Sequence, residues 1–228
     1  ENIMNISREH LELLSENFRN IDETTKEIIN LEAILSLPKG TEHFLSDIHG
    51  EYEAFDHILR NGSGVIKEKL KEVFGNRLPK KELNLLATII YYPEEKLNLL
   101  KKEFSTAEYK EYQKILLLRL LEVTQVAARK YTRSKVRKLL PKDFDYIIEE
   151  LLYKMQTRDK EDYYEKILEN IIELGAGDKF IIELSLSIHK LIIDHLHIVG
   201  DVYDRGPLPD KIMDRLLNYH SLDIQWGN

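Results

Sequence analysis

Asp47 and His49 stand two positions apart in the run Asp47-Ile48-His49-Gly50. Asp201 opens a second run, which continues through Asp204 and Arg205 to Gly206, and Asn228 follows Gly227 in a third. Carboxylate, imidazole and amide oxygen are the donors that hard or borderline divalent cations take, and a chain with no Cys offers no thiolate in their place. At a strand end or in the turn after it, side chains at i and i+2 share a face, so Asp47 and His49 are placed to grip one ion. Asp201 is placed to bridge to a second ion, and Asn228 to give that second ion a neutral oxygen. Two cations about 3.5–4 Å apart activate a water and clamp a phosphoryl oxygen for in-line attack, so the chemistry indicated is phosphate-ester hydrolysis. The forked Arg205 guanidinium suits non-bridging phosphate oxygens. Asp204 is placed to orient a catalytic histidine from behind.

An Asp-x-His pair by itself is a common cap pattern. What sets this one apart is that three polar blocks follow, in order, three segments that read as strands: residues 41–46 (TEHFLS), 195–199 (HLHIV) and 222–226 (LDIQW). Loops at the carboxyl ends of parallel strands are where open α/β sheets place their chemistry, so the blocks are expected to converge. The rest of the chain has helical period. Ile28, Leu31 and Leu35 form one apolar stripe closed by Pro38 and Gly40. Ile167, Leu168, Ile171 and Ile172 form another, and Ile181, Leu184, Ile188, Leu191 and Ile192 a third, with Gly175 and Gly177 as the break between these two. Pro79, Pro93 and Pro141 each sit near the start of a helical pattern, where a missing N–H costs nothing. Asp201 lies 154 positions after Asp47, far beyond a simple βαβ crossover of roughly 30 residues, so a large helical insertion separates the first two strands. The expected class is α/β, rich in helix, with a partial parallel sheet of about three strands. The expected segments are 1–62 (amino-terminal helices and the first metal block), 63–194 (helical insertion) and 195–228 (second and third blocks).

Composition removes other classes. The 228 residues carry 33 basic against 40 acidic side chains, a formal net charge of −7, with 43% hydrophobic residues, which fits neither a disordered nor a fibrous chain. The lack of Cys excludes a disulfide scaffold and a thiol nucleophile and leaves a reducing compartment, the cytoplasm, as the expected location. The apolar run of residues 115–121 is interrupted by Arg119, and no stretch reaches the roughly 18 residues of a membrane span. The first residues, ENIMNISREH, lack the basic start and apolar centre of a signal peptide and do not begin with Met, which reads as a trimmed start.

The three blocks resemble the calcineurin-like metallophosphatase superfamily. Their flanks, KGTEHFLSDIHGEYEAFDHILRNGSG and DHLHIVGDVYDRGPLPDKIMDRLLNYHSLDIQWGN, resemble the class III fructose-1,6-bisphosphatases of Firmicutes-type bacteria, as do YTRSK and EELLYK in the helical insertion. The resemblance implies Mn²⁺-dependent removal of the 1-phosphate of fructose 1,6-bisphosphate, a step of gluconeogenesis, with Mg²⁺ as the competing ion. It implies two ions, Asp47 and His49 on the first, Asp201 between them and Asn228 on the second. It also marks a departure: the superfamily's third block is Gly-Asn-His followed by an acid, and the sequence stops at Asn228, before that proton-donating His and before the later His ligands. Other phosphoesterase substrates, a dinucleoside polyphosphate or a phosphoprotein, use the same blocks. A helical interaction or regulatory module is the alternative of a different class.

Several other residues invite assignment. His189, His195 and His197 precede the second block; His195 and His197 share one strand face opposite Leu196 and Ile198, and buried or supporting roles are favoured over ligation. His57 reads as a helix-face residue. Residues 60–64 (Arg60, Asn61, Gly62, Ser63, Gly64) read equally as a phosphate cradle or a helix stop. The basic residues Arg129, Lys130, Arg133, Lys135, Arg137 and Lys138 form a candidate site for an anionic effector. No aromatic stacking series accompanies them, so a solvated helix face is favoured and nucleic acid is not expected. Tyr91-Tyr92-Pro93 reads as a packing corner. A sugar bisphosphate and self-association into a homo-oligomer complete the expected partners. Losing the acid alone costs about 10²–10⁴ in rate. The chain supplied with Mn²⁺ and fructose 1,6-bisphosphate is therefore expected to turn over poorly or not at all, and a phosphate-release assay giving the rate of a relative with all three blocks complete would refute this.

Overall fold

A computed structural model of the chain describes residues 7–153, 160–225 and 227. The expected strand end at Trp226 and the expected ligand Asn228 lie outside the described residues. The chain divides into two compact units, Glu1–Lys39 and Gly40–Asn228.

The first unit holds α1 (Arg8–Asn17) and α2 (Ile21–Leu35). Ser7 and Asn20 cap them, each side-chain oxygen accepting a backbone N–H that a helix start leaves unpaired, from His10 at 3.2 Å and Glu23 at 2.8 Å. The apolar stripe read from Ile28, Leu31 and Leu35 lies on α2 as expected, but no residue of either helix is buried. Two short helices have too little surface to enclose an apolar face between them.

The second unit contains the sheet and the insertion. Strands β1 (Glu42–Ser46), β2 (His195–Val199) and β3 (Leu222–Gln225) pair in parallel in the order β1-β2-β3, with Ser46 opposite Val199 and Val199 opposite Gln225. The expected strand positions hold to within a residue or so. His43, Leu196 and Ile198 are buried on one face, which packs on α3 (Tyr52–Asn61) through Phe55 and Leu59, and on α12 (Pro209–Leu217) through Ile212 and Leu216. The other face presents Glu42, Phe44, His195, His197 and Asp223.

Between β1 and β2 the chain runs through α4 (Val65–Phe74), α5 (Lys80–Tyr91), α6 (Pro93–Glu103), α7 (Thr106–Ala128), α8 (Arg133–Leu139), α9 (Asp145–Leu152), α10 (Glu161–Glu173) and α11 (Gly177–Ile192). The 23-residue α7 starts at a capping box, Ser105 with Glu108, and packs along α11. All five apolar positions read on α11 are buried, as are Leu168, Ile171 and Ile172 of α10. Arg119, which breaks the apolar run of α7, is satisfied by Glu82 at 2.6 Å. Among the described residues no helix is long and apolar enough to cross a membrane.

In the last turn of α11, His189 is enclosed where the insertion meets α12, and its Nε2–H donates to the Ile90 carbonyl at 2.9 Å. Burial lowers its pKa from 6.5 to about 4; Arg215 and Arg60 push the same way, while the Ile90 bond and Asp56 oppose. The ring is thus neutral in the folded chain, whereas the unfolded chain binds the proton from about pH 6.5 downward. This contribution to stability is full above pH 6.5 and declines as the pH falls toward 4. Urea melts across that window are expected to show the decline, and His189→Gln, which keeps a donor for Ile90, is expected to flatten it.

Candidate functional site

The loops after β1 and β2 are zipped together by backbone hydrogen bonds. Asp47 N–H donates to Val199 O at 3.3 Å and His49 N–H to Asp201 O at 3.0 Å, continuing the parallel ladder beyond the strands. Returning, Gly206 N–H donates to His49 O at 2.6 Å and Leu208 N–H to Gly50 O at 3.2 Å. The approach is close enough that a Cβ on Gly50 would lie 2.6 Å from the Gly206 carbonyl oxygen. Ile48 and Val202 turn inward and are buried in the α/β core. They anchor the loops from below while their neighbours Asp47, His49 and Asp201 stay accessible.

This anchoring demands unusual backbone. Asp47 and His49 both have left-handed φ, 50° and 52°, as has Arg205 at 71°. Non-glycine residues in this region carry strain of about 1–3 kcal/mol each and persist only where the surroundings enforce them. Here the four cross-loop hydrogen bonds and the buried Ile48 do so.

His49, Asp201 and Asp204 each offer one ligand atom, and these atoms lie within 4.8 Å of one another. His49 Nδ1 is hydrogen-bonded to Asp204 Oδ1, and that bond, with the Arg205 guanidinium adding to it, holds the Asp204 carboxyl below its ordinary range. Arg205 Nε pairs with Asp204 Oδ2 at 3.0 Å, and most of its side chain faces solvent. Asp47 stands beside the cluster: the Asp201 N–H points at its Oδ1 at 3.5 Å. The third block arrives at the same place, since a Cβ on Gly227 would come within 2.7 Å of the Gly200 carbonyl carbon and 2.8 Å of Asp201 N. Of the residues read as ligands, Asp47, His49 and Asp201 are thus gathered at one sheet edge. The histidine that Asp204 meets is His49, itself a candidate ligand, because the loop of residues 200–206 doubles back over it.

The Firmicute fructose-1,6-bisphosphatase family matches residues 9–228. The chain belongs to that family. Similar curated relatives named "Fructose-1,6-bisphosphatase class 3" come from Listeria monocytogenes serotype 4b (strain CLIP80459), 58% identical over 98% of this chain and 34% of the relative. One from Alkaliphilus metalliredigens (strain QYMF) is 60% identical over 96% and 33%. One from Staphylococcus aureus (strain JH9) is 54% identical over 98% and 34%. The chain spans about a third of the length of these fructose-1,6-bisphosphatase relatives. No solved structure matches it.

The remaining candidates resolve individually. At residues 60–64 the helix-stop reading prevails over the phosphate cradle. Gly62 closes α3 in the left-handed region, Asn61 Oδ1 already accepts the Gly64 N–H at 3.0 Å, and Arg60 is held by Asp56 at 2.6 Å. His57 Nδ1 is bonded to Tyr92 OH at 2.5 Å, and Pro93 is buried at the α5–α6 corner, the packing role expected there. In the basic cluster, Arg137 makes a two-point pair with Glu149, both bonds 2.8 Å. Lys135 pairs with Asp194 at 2.7 Å, Lys130 donates to Ile192 O at 3.0 Å, and Arg133 lies over the Tyr153 ring. Four of the six cations are therefore engaged within the fold. Sequence reading overlooked Asp223, which β3 brings opposite His197; the signal is a strand register, and register is not written in periodicity.

Gly200, at φ 102°, is the hinge of the second block, and a Cβ there would strike the Asp47 carboxylate. Gly200→Ala is expected to cost about 1–3 kcal/mol of stability and to displace Asp47, seen as a lowered urea midpoint together with shifted Asp47 and Asp201 amide resonances in NMR spectra.

Proposed function

We propose that this chain supplies the amino-terminal part of a divalent-metal-dependent fructose-1,6-bisphosphatase that hydrolyses the 1-phosphate ester. The observation that carries the reading is the meeting of His49, Asp201 and Asp204 within 4.8 Å on two interlocked loops, in a chain of this family. The donor set fits the ion. It is imidazole and carboxylate without sulfur, which suits Mn²⁺, and the imidazole favours Mn²⁺ over the oxygen-seeking Mg²⁺. Asp47 and His49 would hold one ion, Asp201 would stand between two, and Asn228 would serve the second. Ions held there would supply an activated water and would offset the charge that develops on the phosphoryl group.

The chain's own residues do the rest. With its Nδ1–H donated to Asp204, His49 presents the Nε2 lone pair, so Asp204 fixes the tautomer a ligand needs. Arg205, tethered by Asp204 and facing solvent, is positioned to take a non-bridging phosphate oxygen and hold the ester in line. The welded loops keep these groups from spreading when their like charges are brought together, which preorganises the site before substrate arrives.

Mn²⁺ titrations separate the two kinds of role. Asp201→Asn is expected to weaken binding by more than about 100-fold, and Asp204→Asn, which removes an orienting partner, by about 10–100-fold. Equal affinity in the unaltered chain and in Asp201→Asn would refute the reading. In a panel of fructose 1,6-bisphosphate, a dinucleoside polyphosphate and a phosphoprotein, whatever phosphate is released is expected from the first.

A further inference from the structure

We propose that His195, His197 and Asp223 form a second metal site, separate from the loop site, that takes a single borderline divalent cation of the zinc type. It lies on the face of the sheet opposite α3 and α12. His195 and His197, at i and i+2 on β2, project to that face, and the parallel register sets Asp223 of β3 directly beside His197. One ligand atom from each falls within 4.8 Å of the others. Asp223 Oδ2 is the meeting point, 3.1 Å from His195 Nε2 and 2.9 Å from His197 Nδ1. Two imidazoles and a carboxylate are a donor set that Zn²⁺ accepts, with water completing the tetrahedron from the half-exposed side.

The outer partners distinguish a metal site from a hydrogen-bonded cluster. If hydrogen bonds alone held the group, His197 would carry its proton on Nδ1 toward Asp223 and leave Nε2 a bare lone pair; that atom is buried without a hydrogen-bond partner. A cation on Nδ1 moves the proton to Nε2, which faces the Glu42 carboxylate 3.9 Å away. A cation on His195 Nε2 likewise leaves the proton on Nδ1, which then donates to Ser221 Oγ at 2.7 Å. His195 thus has an acceptor at hydrogen-bond distance behind the nitrogen that would carry the proton, and His197 has a carboxylate within ion-pair reach of its own, the kind of outer partner that orients metal-binding histidines. Phe44 stacks on the His197 ring, centroids 4.3 Å apart, and fixes its plane. All three ligands stand on strands, which hold geometry better than loops.

The test is Zn²⁺ binding to the 228-residue chain by calorimetry, with Co²⁺ absorption as a report of geometry and circular dichroism as a check on folding. A double variant His49→Gln, Asp201→Asn removes the loop cluster and is expected to keep one equivalent of Zn²⁺ and a tetrahedral Co²⁺ spectrum. His197→Gln or Asp223→Asn in that background is expected to lower Zn²⁺ affinity by more than about 100-fold, and Glu42→Gln, which leaves the ligands in place, by about 10–100-fold. The proposal is overturned if the loop double variant binds no Zn²⁺, or if either ligand substitution leaves its affinity unchanged. Should a ligand variant unfold, the Glu42→Gln result decides: unchanged affinity there overturns the proposal. These outcomes are independent of Mn²⁺ binding at the loops, so either site can fail alone.

Discussion

The pairing of β1 with β2 in one register is the constraint on which the site rests. With Ser46 opposite Val199, the ladder continues one step past the strands and joins Asp47 to Val199 and His49 to Asp201 through the main chain. A slip of one residue would turn Ile48 outward and Asp47 and His49 toward the core, exchanging a buried isoleucine for buried polar groups with no partners. Burial of Ile48 and exposure of its two neighbours are therefore one event. The positive φ values at Asp47 and His49 are what it takes to satisfy both, and the cross-loop bonds to Gly206 and Leu208 hold that backbone in place.

The large insertion is compatible with this because it has its own core. Phe180, Leu184 and Ile188 of α11 and Leu116, Leu117 and Leu120 of α7 are buried in one cluster, while Ile48, Leu196, Ile198 and Ile212 belong to another. Lys130 ties the two together without adding apolar contact, reaching from the end of α7 to Ile192 O and Thr41 Oγ1, the points where the chain enters β2 and β1. The basic cluster around it is thus in good part a set of structural fasteners. That explains how an acidic chain can concentrate six cations in ten residues without offering six free charges.

The two faces of the sheet divide the work. Leu196 and Ile198 pack the lower face on α3 and α12, where the alternating partners His195 and His197 cannot go. Those histidines consequently share the other face with Glu42, Phe44 and Asp223, on rigid strands, while Asp47, His49 and Asp201 are carried on loops beyond the strand ends. The geometry of the loop cluster depends on how well the loops are welded; that of the strand-face cluster is set first by strand register.

The sequence by itself determined the strands, the helical stripes of α10 and α11 and the three polar blocks, because each is a local pattern: a period of two or 3.6, or glycine next to carboxylate where a chain must turn. It determined the family for the same reason, since the motifs are contiguous. It left open whether residues 60–64 cradled phosphate, which was decided by Asn61 turning its own side chain onto the Gly64 N–H. It left the basic cluster looking free, because Glu149 and Asp194, which engage Arg137 and Lys135, are brought there by packing. Tertiary structure alone placed Asp204 on His49 and Asp223 between two histidines. Both contacts join residues whose distance along the chain carries no period, and only the parallel register, chosen to bury Ile48, Leu196 and Ile198 together, makes them neighbours.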